Sequence, residues 1–398
     1  MSERTLPLAG IRVVELGQLI AGPFAGTLLA YFGADVIKVE PPGGDPIRGW
    51  RKLDESGTSF WWRSIGRNKR SITLDLKTDQ GRDLAAQLID GADVLIENFR
   101  PGTLENWNLG PARFRKSNPG LIFTRISGYG QDGPYASKPG YASVCEGIGG
   151  LRYVNGFPGE RPVRPNLSLG DTIAGLHAAL GILLALFERR GSGNGQVVDV
   201  ALYESVFNLL EAVIPEFDGA GLIREPSGST LTGIVPTNTY RCADGKFVII
   251  GGNGDSIFKR LMEAAGRKDL ADDPRLASNA GRVLHQEEVD GVIDQWCQTL
   301  PSADVVAKLE ASRVPCGPIY NVADMLADPH FQSRGLFQQV EINGKPLKIP
   351  ALAPRLADTP GGTRWPGGEA GSHTEQVLDE LGLSKQQIQA LREGGVIG

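Results

Sequence analysis

The first hundred residues alternate short apolar runs with helical patterns, and this alternation constrains the fold more than any other feature. "IRVVEL", "DVIKVE" and "DVLIENF" read as strands, whereas "AGPFAGTLLAYFGA" and "GRDLAAQLIDGA" carry helical spacing. Strand, helix, strand order implies right-handed crossovers and so predicts a parallel sheet with helices on its faces. "LIFTRISGYG" and "GQVVDVALYES" extend the series. Their near-continuous Val, Ile and Leu suit strands covered on both sides.

The rhythm breaks at "EFDGAGLIREPSGSTLTG", where Gly, Ser and Pro accumulate and a second unit is expected. "NTYRCADGKFVIIGG" then reads as two strands around an Ala-Asp-Gly turn, followed by the helical stretches "DSIFKRLMEAAG" and "HQEEVDGVIDQWCQTL". Beyond "PCGPIYNVADMLADPHF" the chain reads as strands and loops, with the Pro-rich connector "PALAPRLADTPGGTRWPGG" before a final helix, "TEQVLDELG". The expected organisation is a large domain over 1–220, a small α+β domain over 221–325 and a return to the large domain over 326–398.

Several function classes are disfavoured. A net charge of -5 gives no electrostatic reason to expect nucleic acid or an anionic membrane as partner. Cys145, Cys242, Cys297 and Cys316 form no CxxC pair, which argues against a disulfide framework or a zinc site and for a reduced, cytoplasmic setting. "MSERTLPLAGIRVVELG" lacks the layout of a signal peptide, and "HAALGILLALF" is too short to cross a bilayer. No metal is expected, because His177, His285, His330 and His373 have no partner at ligand spacing. A serine hydrolase elbow and a P-loop are both absent. Gly17, Gly22 and Gly26 do not make the dinucleotide fingerprint, although Glu40 ends the next strand, where a ribose partner would sit.

Three stretches remain as candidates. "GRNKRSITLDLK" gathers Arg67, Lys69, Arg70 and Lys77, either as a solvated face or as an anion pocket. "ENFRPG" lies at the carboxyl end of a strand, where open α/β sheets bind ligands. "LSLGDTIAGLHAALGILLALFERR" opens a helix at Gly170 and Asp171. Asp171 there is either the cap of the helix or a carboxylate presented at its positive end. Ile173, Leu176, Leu180, Leu183, Leu184 and Phe187 make one helical stripe, expected to pack on the sheet.

"LAGIRVVELGQLIAGPFAGTLLAYFGADVIKVEPPGGD", "NKRSITLDLK", "GADVLIENFRPG", "SGYGQDGPYASKPGY", "LGDTIAGLHAALGILLAL", "GNGQVVDVALYES" and "VPCGPIYNVADMLADPHF", in that order, resemble the class III CoA-transferase family, which includes formyl-CoA transferase. The resemblance implies an α/β fold: a Rossmann-like parallel-sheet domain with an inserted smaller α+β domain, in an interlocked, ring-like homodimer. It implies a CoA thioester as substrate and no prosthetic group. It makes Asp171 the covalent nucleophile, passing through an aspartyl anhydride and an aspartyl-CoA thioester that the acceptor carboxylate attacks. Backbone amides from Gln18 to Ala21 and at the helix start are then the expected oxyanion donors.

Carried over by position, the CoA contacts fall on Gln18, Leu19 and Ala21, on Leu74 to Lys77, on Asn98, Phe99 and Arg100, and on Lys138 to Tyr141. The chain departs from the family pattern at Pro41, Asn106 and Trp107, which leaves Arg70 or Arg100 to take the phosphates. The middle of the chain resembles the branch that moves CoA from succinyl-CoA to dicarboxylates such as glutarate, with itaconate, malate, citramalate and mesaconate as related acceptors. Arg48 beside Trp50 is the expected partner of the acceptor's second carboxylate. The alternatives are a non-catalytic CoA-binding protein and an α-methylacyl-CoA racemase. The racemase would need a histidine where this chain has Gly140, Tyr141 and Ala142.

Overall fold

In the computed structural model, which describes residues 5–398, the alternation read from the sequence becomes a single parallel sheet. The first four residues of the segment read for targeting lie outside the described residues. The chain runs β1 (Arg12–Glu15), α1 (Ala21–Tyr31), β2 (Asp35–Glu40), α2 (Phe60–Ile65), β3 (Lys69–Thr73), α3 (Asp79–Asp90), β4 (Val94–Glu97), α4 (Thr103–Asn106), α5 (Pro111–Ser117), β5 (Ile122–Ser127), α6 (Ala142–Ile148), α7 (Leu169–Ser192), β6 (Val197–Ala201) and α8 (Leu202–Phe207). The strand order is β3-β2-β1-β4-β5-β6, and every pair is parallel. This is the doubly wound order, whose direction of winding switches between β1 and β4.

Alternation along the strands divides the core into two layers. Val13, Val36, Val94 and Ile122 face α1 and α7, where they join Ala25, Ala174, Ala178 and Ile182. Val14, Ile37, Leu95 and Phe123 face the other way, against Leu84 and Leu88 of α3 and Phe114 of α5. β3 consists of Lys69–Thr73 itself, so the stretch read as a basic face is a strand of the sheet.

Of the stripe expected to pack on the sheet, Ile173 is buried and the rest is not. Leu176, Leu180, Leu183, Leu184 and Phe187 are 47%, 53%, 43%, 62% and 75% exposed. The packed face of α7 is made instead of Ala174, Ala178, Ile182, Ala185 and Leu186. The reason is clearance: a Cβ on Gly175 would lie 2.8 Å from the Ala21 carbonyl oxygen, so only the small-residue face can approach α1. The helix has 24 residues and is long and apolar enough to cross a bilayer, which removes the length argument made from its middle. Its Ala-rich face is committed to the sheet layer.

A second compact unit comprises Arg152–Arg164 and Ala212–Pro329, the first being the chain up to Leu151 with Pro165–Glu211 and His330–Gly398. The composition-based boundaries at 220/221 and 325/326 differ from these, and composition gives no signal that Arg152–Arg164 groups with the second unit. The second unit contains α9 (Val213–Ala220), β7 (Thr237–Arg241), β8 (Phe247–Gly251), α10 (Asp255–Ala264), α11 (Lys268–Ala271), α12 (Asn279–Leu284), α13 (Gln286–Cys297), α14 (Ser302–Ala311), β9 (Cys316–Pro318) and α15 (Val322–Ala327). β7, β8 and β9 are antiparallel, as the Ala-Asp-Gly turn predicts for the first pair. Its core holds Tyr240, Val248, Ile250, Phe258 and Ile293.

The chain ends with α16 (Pro329–Ser333), the hairpin β10 (Phe337–Ile342) and β11 (Lys345–Pro350), α17 (Thr374–Glu380) and α18 (Lys385–Glu393). The stretch read as strands and loops holds the end of α16 and the β10–β11 hairpin, and α18 follows the helix expected to be last. Val377 and Leu378 of α17 and Ile388 of α18 close the α3 side of the core.

Candidate active site

The carboxyl ends of β1 and β4 meet at the switch point, where a parallel sheet leaves a crevice for ligands. Gly17, Gln18 and Leu19 turn the chain there into α1. Five main-chain N–H and C=O groups of this turn are bound by the protein itself. Gly17 N–H donates to the Ile96 carbonyl (3.2 Å), and the Lys38 ammonium donates to the Gly17 carbonyl. Asn98 Oδ1 accepts the Gln18 N–H at 2.7 Å, and Asn98 Nδ2 donates to the Gln18 carbonyl at 2.8 Å. Leu19 N–H donates to the Asp45 carboxylate at 3.1 and 3.2 Å. Leu19 is held at φ 65°, a left-handed conformation rarely adopted by a branched side chain.

This changes the expected oxyanion donors. The Gln18 and Leu19 amides are committed to Asn98 and Asp45. The nearest amides without a partner inside their own helix are those of Ala21 and Gly22, which begin α1.

Beneath the turn lies a group of charged side chains that sequence reasoning passed over. Lys38 is fully buried and contacts Asp45 (2.9 Å) and Glu15 (3.4 Å); Lys69 contacts Glu15 at 2.8 Å. Burial works against the Lys38 ammonium, but Asp45, Glu15 and Glu40 hold its pKa above the usual lysine value. Burial dominates at Lys69, whose pKa falls to about 8. Burial likewise opposes ionisation of Asp45, but Lys38 and the Ile47 and Leu19 amides hold its carboxyl below the usual range. The available signal was Glu15 and Lys38 among the apolar residues of β1 and β2, since such residues are almost never buried unless paired.

The segment after β4 is braced from β5. Arg125 Nε donates to Glu97 Oε1 at 2.7 Å, and its Nη1 reaches Glu105 at 2.6 Å. Glu97 Oε2 accepts the Phe99 N–H at 2.8 Å. Burial pushes the Glu97 carboxyl up to about 7 against the pull of Arg125. Phe99 packs edge-on against Trp107, with centroids 5.3 Å apart. Arg100 is exposed at this edge.

Asp171 stands in the first turn of α7 and is partly exposed. It is not the cap residue: Ser168 occupies that position. Gly175, one turn further on, packs against Ala21, so Asp171 lies one helical turn, about 5 Å of rise, from the point where α7 touches the start of α1. The Gly170 N–H donates to the buried Glu146 carboxylate of α6 at 3.2 Å. Glu146 was not anticipated, because the contact joins residues far apart in sequence. Cys145 donates to the Gly128 carbonyl at 3.3 Å, and burial together with the nearby Asp171 charge pushes its thiol up to about 11.

The remaining expected residues divide into two groups. Lys77, Lys138 and Tyr141 are exposed on connections that follow β3 and β5, with the Lys138 ammonium 3.4 Å from the Tyr135 ring centre. Leu74 is a core residue, 1% exposed, so only its main chain can meet a ligand. Arg48 grips buried Glu40 through two 2.7 Å bonds, donates to the Gly368 carbonyl at 2.9 Å and stacks on Trp62. Its donors are therefore engaged by the protein, which removes the ground for giving it the acceptor's carboxylate. The same contacts remove Glu40 as a ribose partner. Trp50 is 41% exposed beside Trp61.

The four-residue anion pocket also dissolves. Arg67 is buried and donates to the Ser64 and Pro350 carbonyls, Lys69 pairs with Glu15, and Arg70 pairs with Asp35 (2.6 Å) and Glu380 (2.7 Å) near the amino ends of β2 and β3. Desolvating a cation requires a partner close by, and these three have theirs. Arg70 is thus not available for phosphate, which leaves Arg100 and Lys77.

A family model described as CoA-transferase family III matches residues 8–374. A succinyl-CoA–D-citramalate CoA-transferase of Chloroflexus aurantiacus is 45% identical over 98% of each chain. A succinate–glutarate CoA-transferase of Agrobacterium fabrum is 36% identical over 96% of this chain and 97% of its own. The crystal structure of a CAIB/BAIF family protein from Brucella suis superposes with a TM-score of 0.84 at 34% identity, covering 95% of this chain and 100% of that one.

Proposed function

The chain belongs to CoA-transferase family III, and from that membership we propose that it moves CoA from succinyl-CoA to a small dicarboxylic acid, with Asp171 as the covalent nucleophile. The observation that carries this reading is the position of Asp171 at the sheet's ligand edge, in the first turn of a 24-residue helix beside the start of α1. The positive end of a helix favours an ionised carboxylate, as a nucleophile requires.

Asp171 attacks the succinyl thioester carbonyl, the C–S bond breaks, and CoA leaves as the thiolate. The thiolate returns to the aspartyl carbon of the mixed anhydride and displaces succinate, leaving an aspartyl-CoA thioester. The acceptor carboxylate attacks that thioester and expels the thiolate. Attack of the thiolate on the acceptor's acyl carbon then restores Asp171. Each step passes through a tetrahedral oxyanion, for which the Ala21 and Gly22 amides are the candidate donors. The Asn98–Arg100 segment and Lys77 are the candidate contacts for CoA.

The two curated relatives described above are named for citramalate and glutarate, both five-carbon dicarboxylates. A five-carbon acceptor is therefore the first expectation. The racemase reading lacks a second proton-transfer group, since Gly140, Tyr141 and Ala142 supply no imidazole.

We also read the protein as a cytoplasmic homodimer whose subunits interlock, the second unit being inserted in the Rossmann-like first. The exposed leucines and Phe187 of α7 support association, and α9 of the second unit has no buried residue. An apolar face of this extent on a soluble chain marks an interaction surface. The cysteines are all free thiols.

The test is to assay succinyl-CoA with a panel of dicarboxylates, and to record intact mass after succinyl-CoA and hydroxylamine. Transfer to at least one acid is expected, with a hydroxamate on Asp171 and neither signal in Asp171→Ala. Turnover retained by Asp171→Ala would sink the mechanism.

A further inference from the structure

We propose that the buried pair Lys38–Asp45 is a positioning device for the turn Gly17–Leu19, holding that turn in its strained form so that the start of α1 faces Asp171. The proposal rests on the reading of Asp171 as the acyl carrier.

Lys38 lies on β2 and is fully buried. Its ammonium donates to the Gly17 carbonyl and stands in ion-pair range of Asp45 at 2.9 Å and Glu15 at 3.4 Å. Asp45 reaches the other end of the same turn, accepting the Leu19 N–H at 3.1 and 3.2 Å while also capping Ile47 N–H at 3.1 Å. One ion pair thus grips both ends of a three-residue turn. Between them Gln18 is gripped by Asn98, leaving the turn little freedom to relax.

Two physical points separate this from ordinary core structure. A buried ion pair is seldom the most stabilising way to fill a core, because desolvation offsets its attraction. This one sits directly under a residue at φ 65°, and a non-glycine residue keeps such a conformation only when its surroundings over-determine it. Only Ile20 separates the strained residue from the amides of Ala21 and Gly22, so rotation at Leu19 would redirect them. Displacement of a catalytic group by about 1 Å can lower a rate on the order of 10²-fold.

The experiment compares full-length wild type, Lys38→Met, Asp45→Asn and the double variant in succinyl-CoA turnover and thermal unfolding. Lys38→Met is expected to lower kcat by on the order of 10²-fold, with KM for succinyl-CoA changed less than about threefold. Asp45→Asn keeps an oxygen for the Leu19 and Ile47 amides, so about a tenfold loss in kcat is expected. The double variant removes both charges and should recover melting temperature relative to Lys38→Met while kcat stays low. Recovery of kcat together with melting temperature, or unchanged kcat in Asp45→Asn, would overturn the positioning role. Asp45→Asn is nearly isosteric and keeps the question answerable if Lys38→Met does not fold. Absence of turnover in wild type with every acid, or turnover surviving in Asp171→Ala, would instead count against the parent reading.

Discussion

The Asn98 side chain closes both main-chain groups of Gln18, accepting its N–H at 2.7 Å and donating to its carbonyl at 2.8 Å. A carboxamide does both at once, through its oxygen and its nitrogen. The clamp ties the carboxyl end of β1 to that of β4 across the switch point. Asn98→Ala leaves two main-chain groups without protein partners, at roughly 1–3 kcal/mol for each buried group. Steady-state kinetics should show kcat/KM for succinyl-CoA reduced by about tenfold or more.

Glu146 holds the Gly170 amide immediately before Asp171. Glu146→Gln keeps an oxygen for that N–H, whereas Glu146→Ala removes it. Urea unfolding should therefore place the alanine variant about 1–3 kcal/mol below wild type and the glutamine variant closer to it. Turnover should fall in the same order, because the amide that fixes the helix start also fixes the nucleophile.

Glu97 makes stability depend on pH with a definite sign. Its folded-state pKa of about 7 lies above the ordinary 4.5. Its contribution is fully present below 4.5 and is lost as pH rises through about 7, because the unfolded chain releases that proton earlier. In Glu97→Gln the slope from this group vanishes. Denaturant midpoints between about pH 5 and 8 should fall less steeply in the variant than in wild type. Identical slopes would contradict the assignment.

The exposed face of α7 predicts association. Leu184 and Phe187 are 62% and 75% exposed, so a charge placed there should disturb an interface rather than the monomer's core. Leu184→Asp is expected to lower the molecular mass measured by light scattering while the far-ultraviolet spectrum stays unchanged. An unchanged mass would place the interface elsewhere.

The parallel sheet was legible because buried strands leave long Val and Ile runs, and five of the strands of the main sheet coincide with runs read from the sequence. β3 was harder, since Lys69 and Arg70 look solvated in one dimension. The stretch around Asp171 was legible as a helix start, but its cap was misread by three residues, because Ser168 and Asp171 both suit that position. Glu146 carried no local signal, and Arg48 and Arg70 were misjudged because their carboxylate partners lie elsewhere in the chain.

By itself the sequence determined which segments become strands and helices, and that a Gly-Asp pair opens the long apolar helix. Only the tertiary structure decided which side of that helix packs, and which charges are free to meet a ligand. Periodicity is a property of neighbouring residues, whereas clearance against a facing backbone and the pairing of buried charges depend on groups brought together by the whole fold. That is why the leucine stripe turned outward, and why Lys38 and Asp45 lie under the turn that Asp171 faces in the reading proposed above.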